Sequence, residues 1–196
     1  MTRQRHASAA LTGILALIVG VVAGCGTSAP SGPPGSGSTG SSVPSSSAQP
    51  DWFAMRMRDV RTGQVFAIGD FAGKVVLVET MAEWCPTCRE QQAEVIKLHD
   101  LLGAGSDVVS VSLDIDVHED EASLKEYAGT LGYDWRFAVA PLEVARALGN
   151  LYSAEYLNPP YSPMLLIDRH GTATSLPYGV KTAALLKSTL EPYLAP

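Results

Sequence analysis

Lys74-Val75-Val76-Leu77-Val78-Glu79-Thr80-Met81-Ala82-Glu83-Trp84-Cys85-Pro86-Thr87-Cys88 is the stretch that decides the fold. Its first half is a β-branched apolar run, the pattern of a buried strand. Beyond it Val95, Ile96, His99 and Leu102 recur at helical spacing. Two cysteines separated by two residues therefore stand where a strand hands over to a helix. Pro86 suits a first helical turn, where its missing N–H is no loss and its φ is already helical. Cys85 then lies at the cap, facing unsatisfied N–H groups and the positive end of the dipole, which favour thiolate over thiol. Cys88, one turn later, is expected to be more buried and less acidic. Cys85 is thus the expected attacking sulfur and Cys88 the resolving one, working through a mixed disulfide. A plain staple is a poor use of so small a loop, since it removes little unfolded-state entropy. A zinc site lacks the second cysteine pair needed for four ligands. Pro86 and Thr87 are placed to tune the thiolate, Thr87 through its backbone N–H.

The chain has 196 residues, 46% of them hydrophobic, and a formal net charge of −6. That is enough apolar material for one packed domain with appendages, and it gives no basic footprint for nucleic acid. Three cysteines, an odd number, need explaining in an exported protein. Residues 1–24 read as an export signal: Arg3 and Arg5 give a positive start, and residues 9–23 an apolar stretch. The stretch ends Val21-Val22-Ala23-Gly24-Cys25, which resembles a bacterial lipobox and implies cleavage before Cys25 and a lipid on its sulfur. An uncleaved anchor is the alternative, but the run falls short of the roughly 20 residues a spanning helix needs. Either way the domain is tethered outside the cytoplasm. Residues 25–50 are almost entirely Gly, Ser, Pro, Thr and Ala apart from the cysteine, without charge, and read as a disordered tether with a reach of roughly 25–30 Å.

The folded domain is expected over 51–196. Residues 52–60 have strand period and 65–68 form a second strand, making an N-terminal hairpin across the turn Arg61-Thr62-Gly63-Gln64. Residues 69–73 read as a loop. After the strand at 75–82, a helix is expected to reach Leu102 and stop at Gly103. Strands follow at 108–115, 135–139, 164–168 and 173–177, with helices at 119–131, 141–151 and 181–194. This alternation specifies an α/β fold with a partly parallel sheet and an antiparallel edge. Active groups in such sheets gather beyond the C-terminal ends of strands, where the dithiol sits.

The motif at 82–88, with its preceding strand, resembles the thioredoxin superfamily, and most of all its extracytoplasmic TlpA, ResA, CcmG-like and DsbE/DsbF-like branch. The resemblance spans roughly residues 51–195. It implies a three-layer fold with a central mixed sheet flanked by helices and an N-terminal β-hairpin extension. It also implies disulfide exchange with protein thiols and disulfides, no cofactor, and a membrane electron donor or acceptor for the dithiol. Such a protein serves as a reductase, for instance in cytochrome c maturation, or as an oxidase in folding exported proteins. The family carries a cis-proline beside the dithiol. Pro163 fits that position, because Met164-Leu165-Leu166-Ile167-Asp168 follows directly, and Ser162 would present backbone groups to substrate. Trp84 would shield the sulfurs and touch substrate. Glu79 stands where thioredoxins have a buried Asp, and could take the Cys88 proton if burial raises its pKa; the alternative is a hydrated or paired carboxylate at a strand end. ResA-like members often carry Glu three residues past the second cysteine, where this chain has Gln91, with Glu90 adjacent.

Asp114 and Asp116 read as solvated. His99, His118 and His170 are not at metal spacing, so no metal site is expected. Two other functions compete. A peroxiredoxin-type peroxidase would place Thr or Ser at position 82 and Pro at 78, where Ala82 and Val78 stand. An SCO-like copper carrier would have three residues between its cysteines and a distant His ligand.

Overall fold

The computed structural model describes residues 49–194. The export signal, Cys25 and nearly all of the tether expected at 25–50 lie outside the described residues. The first described element is a 3-10 turn at Asp51–Ala54, not the strand expected at 52–60. Trp52 and Phe53 are both buried, edge to face with ring centroids 4.6 Å apart. Two consecutive side chains driven into one core cannot belong to a strand, whose neighbours point to opposite faces. What survives of the expected hairpin is β1 (Met57–Arg58) against β2 (Val65–Phe66), antiparallel. Asp59 holds its turn by accepting from the backbone N–H of Arg61 and the hydroxyl of Thr62. The expected loop at 69–73 is largely a second 3-10 turn, Ile68–Phe71.

The main sheet runs β5-β4-β3-β6-β7. Its centre is β3 (Val75–Met81), buried along its whole length. β4 (Val108–Asp114) pairs with β3 in parallel, and β5 (Arg136–Val139) with β4 in parallel. β6 (Met164–Ile167) and β7 (Ala173–Ser175) close the other side antiparallel. Helices α1 (Pro86–Leu102), α2 (Glu121–Thr130), α3 (Leu142–Leu151) and α4 (Ala183–Leu194) fill the connections.

Alternation along the strands sorts the core into two clusters. Val75, Leu77 and Met81 of β3 pack with Met164 and Leu166 against Val95 and Leu98 of α1, Leu124 of α2, and Leu186 and Leu190 of α4; both cysteines belong to this cluster. Val76, Val78, Val111, Leu113 and Leu165 face the other way, onto Trp52, Phe53, Val144, Leu148 and Tyr156. The result is the expected three-layer α/β fold. Period two also puts Glu79 on the cysteine-bearing face, directly beside Ser112 in the β3–β4 register.

Candidate active site

At the C-terminal end of β3 the chain turns through Glu83 and Trp84 into α1. Cys85 is the N-cap residue, Pro86 the first helical residue, and Cys88 completes the first turn. The two cysteines form a disulfide with Cα atoms 5.3 Å apart. The Cys88 backbone N–H donates to Cys85 Sγ at 3.1 Å. A sulfur occupying the cap is stabilised as thiolate by such a bond and by the helix dipole. Thr87 Oγ1 lies 3.3 Å from the same sulfur and donates to Pro160 O at 3.1 Å. Cys85 is 0% and Cys88 2% exposed. The expected ranking by burial therefore fails, because the 3-10 turn Pro159–Tyr161 packs over the start of α1. What separates the sulfurs is hydrogen bonding: Cys85 Sγ has a backbone donor, whereas Cys88 Sγ faces the Pro159 carbonyl at 3.5 Å.

Ser162 and Pro163 follow this 3-10 turn directly, Ser162 as its C-cap. The expected cis bond between them is absent: no peptide bond among the described residues is cis. The chain reverses instead through Ser162 in the left-handed region, φ 46° and ψ 56°, with its N–H donating to Pro159 O at 2.7 Å. Pro163 O accepts from Thr80 N–H of β3 at 3.3 Å, which holds the loop against the central strand. Trp84 is 54% exposed, and its Nε1 donates to Asp116 Oδ2 at 2.6 Å. Tyr161 and Tyr178 are exposed too, their ring centroids 5.9 Å apart.

Glu79 is neither hydrated nor at a strand end. It is 4% exposed. Its Oε1 accepts from Gln92 Nε2 at 2.8 Å and Ser112 Oγ at 2.7 Å. Gln92 in turn accepts from Tyr127 OH at 2.6 Å, and Ser112 Oγ from Trp135 Nε1 at 2.8 Å. Burial pushes the Glu79 pKa up to about 7, against the opposing pull of these hydrogen bonds and of Lys181. A carboxyl poised there exchanges protons readily at neutral pH. Gln92 lies one helical turn beyond Cys88, so this network runs beneath the dithiol's helix.

Asp114 corrects a sequence expectation: it is fully buried, not solvated. Burial, then the nearby Glu119 and Glu83, raises its pKa well above the carboxylate range. The place of β4 inside the sheet explains this, since the strand is buried on both faces from Ser110 to Asp114. Among the described residues, oxygens of Glu83, Asp114 and Glu119 lie within 4.8 Å of one another. Asp116 follows in the loop and fixes Trp84. His99 bonds Ser110 Oγ through Nε2 at 2.9 Å and packs edge-on to Trp135. A cleft of about 590 Å³ lined by Lys74, His99, Asp134 and Trp135 lies at the opposite ends of the strands from the dithiol.

Sequence reading missed Lys181, Gln92 and Ser112. Lys181 was read only as the first residue of the last helix, and it is 2% exposed. Gln91 Oε1 accepts its backbone N–H at 2.7 Å and Gln91 Nε2 donates to its carbonyl at 3.1 Å, so α4 begins two residues later. The unusual Gln91 was the one available signal.

Residues 38–191 match the Redoxin family. No curated protein sequence matches the chain. Solved structures share its fold. A thiol:disulfide interchange protein of the thioredoxin family from Chlorobium tepidum TLS superposes with a TM-score of 0.59 at 20% identity, over 72% of this chain and 93% of that one. A thiol-disulfide isomerase from Corynebacterium glutamicum gives 0.54 at 24% identity, over 69% and 90%. MTB dsbF, in mixed oxidised and reduced forms, gives 0.57 at 15% identity, over 72% and 96%. The fold and its paired cysteines define a thioredoxin-like thiol-disulfide oxidoreductase. The chain belongs to the Redoxin family.

Proposed function

We propose that the protein is a lipid-tethered, extracytoplasmic thiol-disulfide oxidoreductase that exchanges disulfides with protein substrates through Cys85 and Cys88. The observation that carries the chemistry is Cys85 at the helix cap, its sulfur accepting the Cys88 N–H. In the reduced protein the Cys85 thiolate attacks a substrate disulfide. A mixed disulfide forms and one substrate sulfur leaves as thiolate. Cys88 then loses its proton to Glu79 and attacks Cys85 Sγ, which releases the second substrate thiolate and restores the Cys85–Cys88 disulfide. The same steps in reverse oxidise a substrate dithiol. Which way electrons flow follows from the potential of this pair relative to its membrane donor or acceptor, with about 30 mV per tenfold change in equilibrium constant.

The loop of Ser162 and Pro163, with Trp84, Pro86 and Thr87, frames the approach to the sulfurs, its own backbone groups held within the fold by Pro159, Lys181 and Thr80. The extracytoplasmic placement rests on the sequence at 1–25: a positive start, an apolar stretch and Cys25 after Val21-Val22-Ala23-Gly24. Cys25 then carries the lipid, and only the redox pair is left as cysteine. The test is reduction of a protein disulfide such as insulin by the dithiothreitol-reduced domain: turnover that Cys85→Ser abolishes supports the reading, and turnover that survives it overturns the assignment. Labelling of the full chain with radioactive palmitate, lost in Cys25→Ala, tests the tether.

A further inference from the structure

Lys181 is the only buried lysine or arginine among the described residues. An ammonium has three N–H donors and, once out of water, needs a partner for each. Lys181 Nζ finds three carbonyls: Ser162 O at 2.6 Å, Gly179 O at 2.6 Å and Pro177 O at 3.2 Å. One of these belongs to the residue that precedes Pro163. The backbone of Lys181 is clamped by Gln91, while the next residue of α1, Gln92, bonds Glu79. Adjacent side chains of a single helix thus hold a buried cation and a buried acid one turn beyond Cys88.

We propose that Lys181 is a positioning residue for disulfide exchange, pinning the Ser162 carbonyl of the substrate-facing loop while its positive charge biases Glu79 toward the carboxylate that receives the Cys88 proton. The proposal rests on the proton-accepting reading of Glu79 given above.

The charge is in place at neutral pH. Burial draws the Lys181 pKa down to about 8, opposed by Glu79, so the amine is still largely protonated at pH 7. Its attraction in turn works against the burial that raises Glu79. The other groups facing Glu79 are Gln92 of α1, Ser112 of β4, and the hydroxyls of Tyr127 and Tyr133, none of them cationic. Since carbonyls fill all three donor positions of Nζ, Lys181 acts on Glu79 through its field and not by direct proton transfer. The same three bonds tie the segment 177–179 to Ser162, so loop position and acid strength depend on one side chain.

The reaction of the reduced protein with dithiobis-nitrobenzoate separates the steps. The first thionitrobenzoate released reports attack by Cys85, and the second reports Cys88 resolving the mixed disulfide. Lys181→Gln keeps a donor for Ser162 O and removes the charge. The expected result is a resolving phase about tenfold slower at pH 7, part of the factor a positioned general base supplies. Its pH inflection should move upward, while the first phase changes less than twofold. In a Glu79→Gln background the same substitution should shift nothing further. An unmoved inflection, or an equal shift in that background, overturns the proposal. A resolving phase untouched by Glu79→Gln alone removes the proton-acceptor reading and this proposal with it, and that arm identifies which has failed. If Lys181→Gln does not fold, wild-type protein with 15N-labelled lysine should show one slowly exchanging ammonium whose nitrogen shift follows the titration of the Glu79 carboxyl. Its absence contradicts the proposal.

Discussion

Gln92 Nε2 donates to Glu79 Oε1 at 2.8 Å, which ties the middle of the central strand to the helical turn just past Cys88. This bond joins the redox pair's helix to the one acid buried inside β3, and it turns Glu79 from a sequence oddity into part of the site's wiring.

Glu79→Gln should slow resolution of a mixed disulfide by about 100-fold near neutral pH, the low end of what a general base contributes. The inflection near pH 7 should vanish, while attack by Cys85 is little changed. Stopped-flow rates of the two phases against pH check this. A full-speed resolving phase with its inflection intact would remove Glu79 from the mechanism.

The same acid makes stability depend on pH. Its pKa rises from 4.5 in the unfolded chain to about 7 in the fold, so between those values the folded state holds more protons. The stabilisation is complete below pH 4.5 and is lost as pH climbs through 7. Glu79→Gln should flatten that limb by about 3 kcal/mol, because each tenfold difference in proton affinity between fold and unfolded chain is worth about 1.4 kcal/mol. Urea unfolding at a series of pH values measures it. Buried Asp114, raised in the same direction, leaves a residual slope of the same sign.

Gln91→Leu should cost about 2–5 kcal/mol, because it strands both the N–H and the carbonyl of Lys181 away from water. Thermal or urea unfolding reads the loss. A change below about 0.5 kcal/mol, the range of ordinary surface substitutions, would mean the clamp does not hold in solution.

Asp116→Asn weakens the bond that orients the exposed Trp84 indole. If Trp84 touches protein substrates, Trp84→Ala should reduce kcat/KM for a protein disulfide at least fivefold, the scale of an interface hot spot. Asp116→Asn should show a smaller fall, and the first thionitrobenzoate release should keep its rate in both. Equal losses on the protein and the small disulfide would assign Trp84 to the sulfurs' environment instead.

Much of this was legible in the linear chain wherever pattern and burial agree. The run from Val75 to Met81 and Gly103 after α1 marked element ends that the structure reproduces closely. Trp52 and Phe53 misled because alternation with polar neighbours mimicked a strand, whereas tertiary packing draws both rings into one core. Asp114 was misjudged, and the burial of Lys181 went unread, for a different reason. Charge suggests exposure, and only the β4 register and a clamp ninety residues away in sequence show that both are inside. The resemblance singled out Ser162 and Pro163 by their position before β6, but the backbone route between them was not readable from residue types.

The mechanism stands on Cys85 being the attacking sulfur and Cys88 the resolving one. The direct measurement is to mix Cys88→Ser and Cys85→Ser variants, reduced, with a protein disulfide and resolve the products by non-reducing electrophoresis and peptide mass mapping. The mechanism predicts a stable mixed disulfide through Cys85 in the Cys88→Ser variant and almost none in Cys85→Ser. Equal trapping through Cys88, or no covalent complex in either variant, would contradict it.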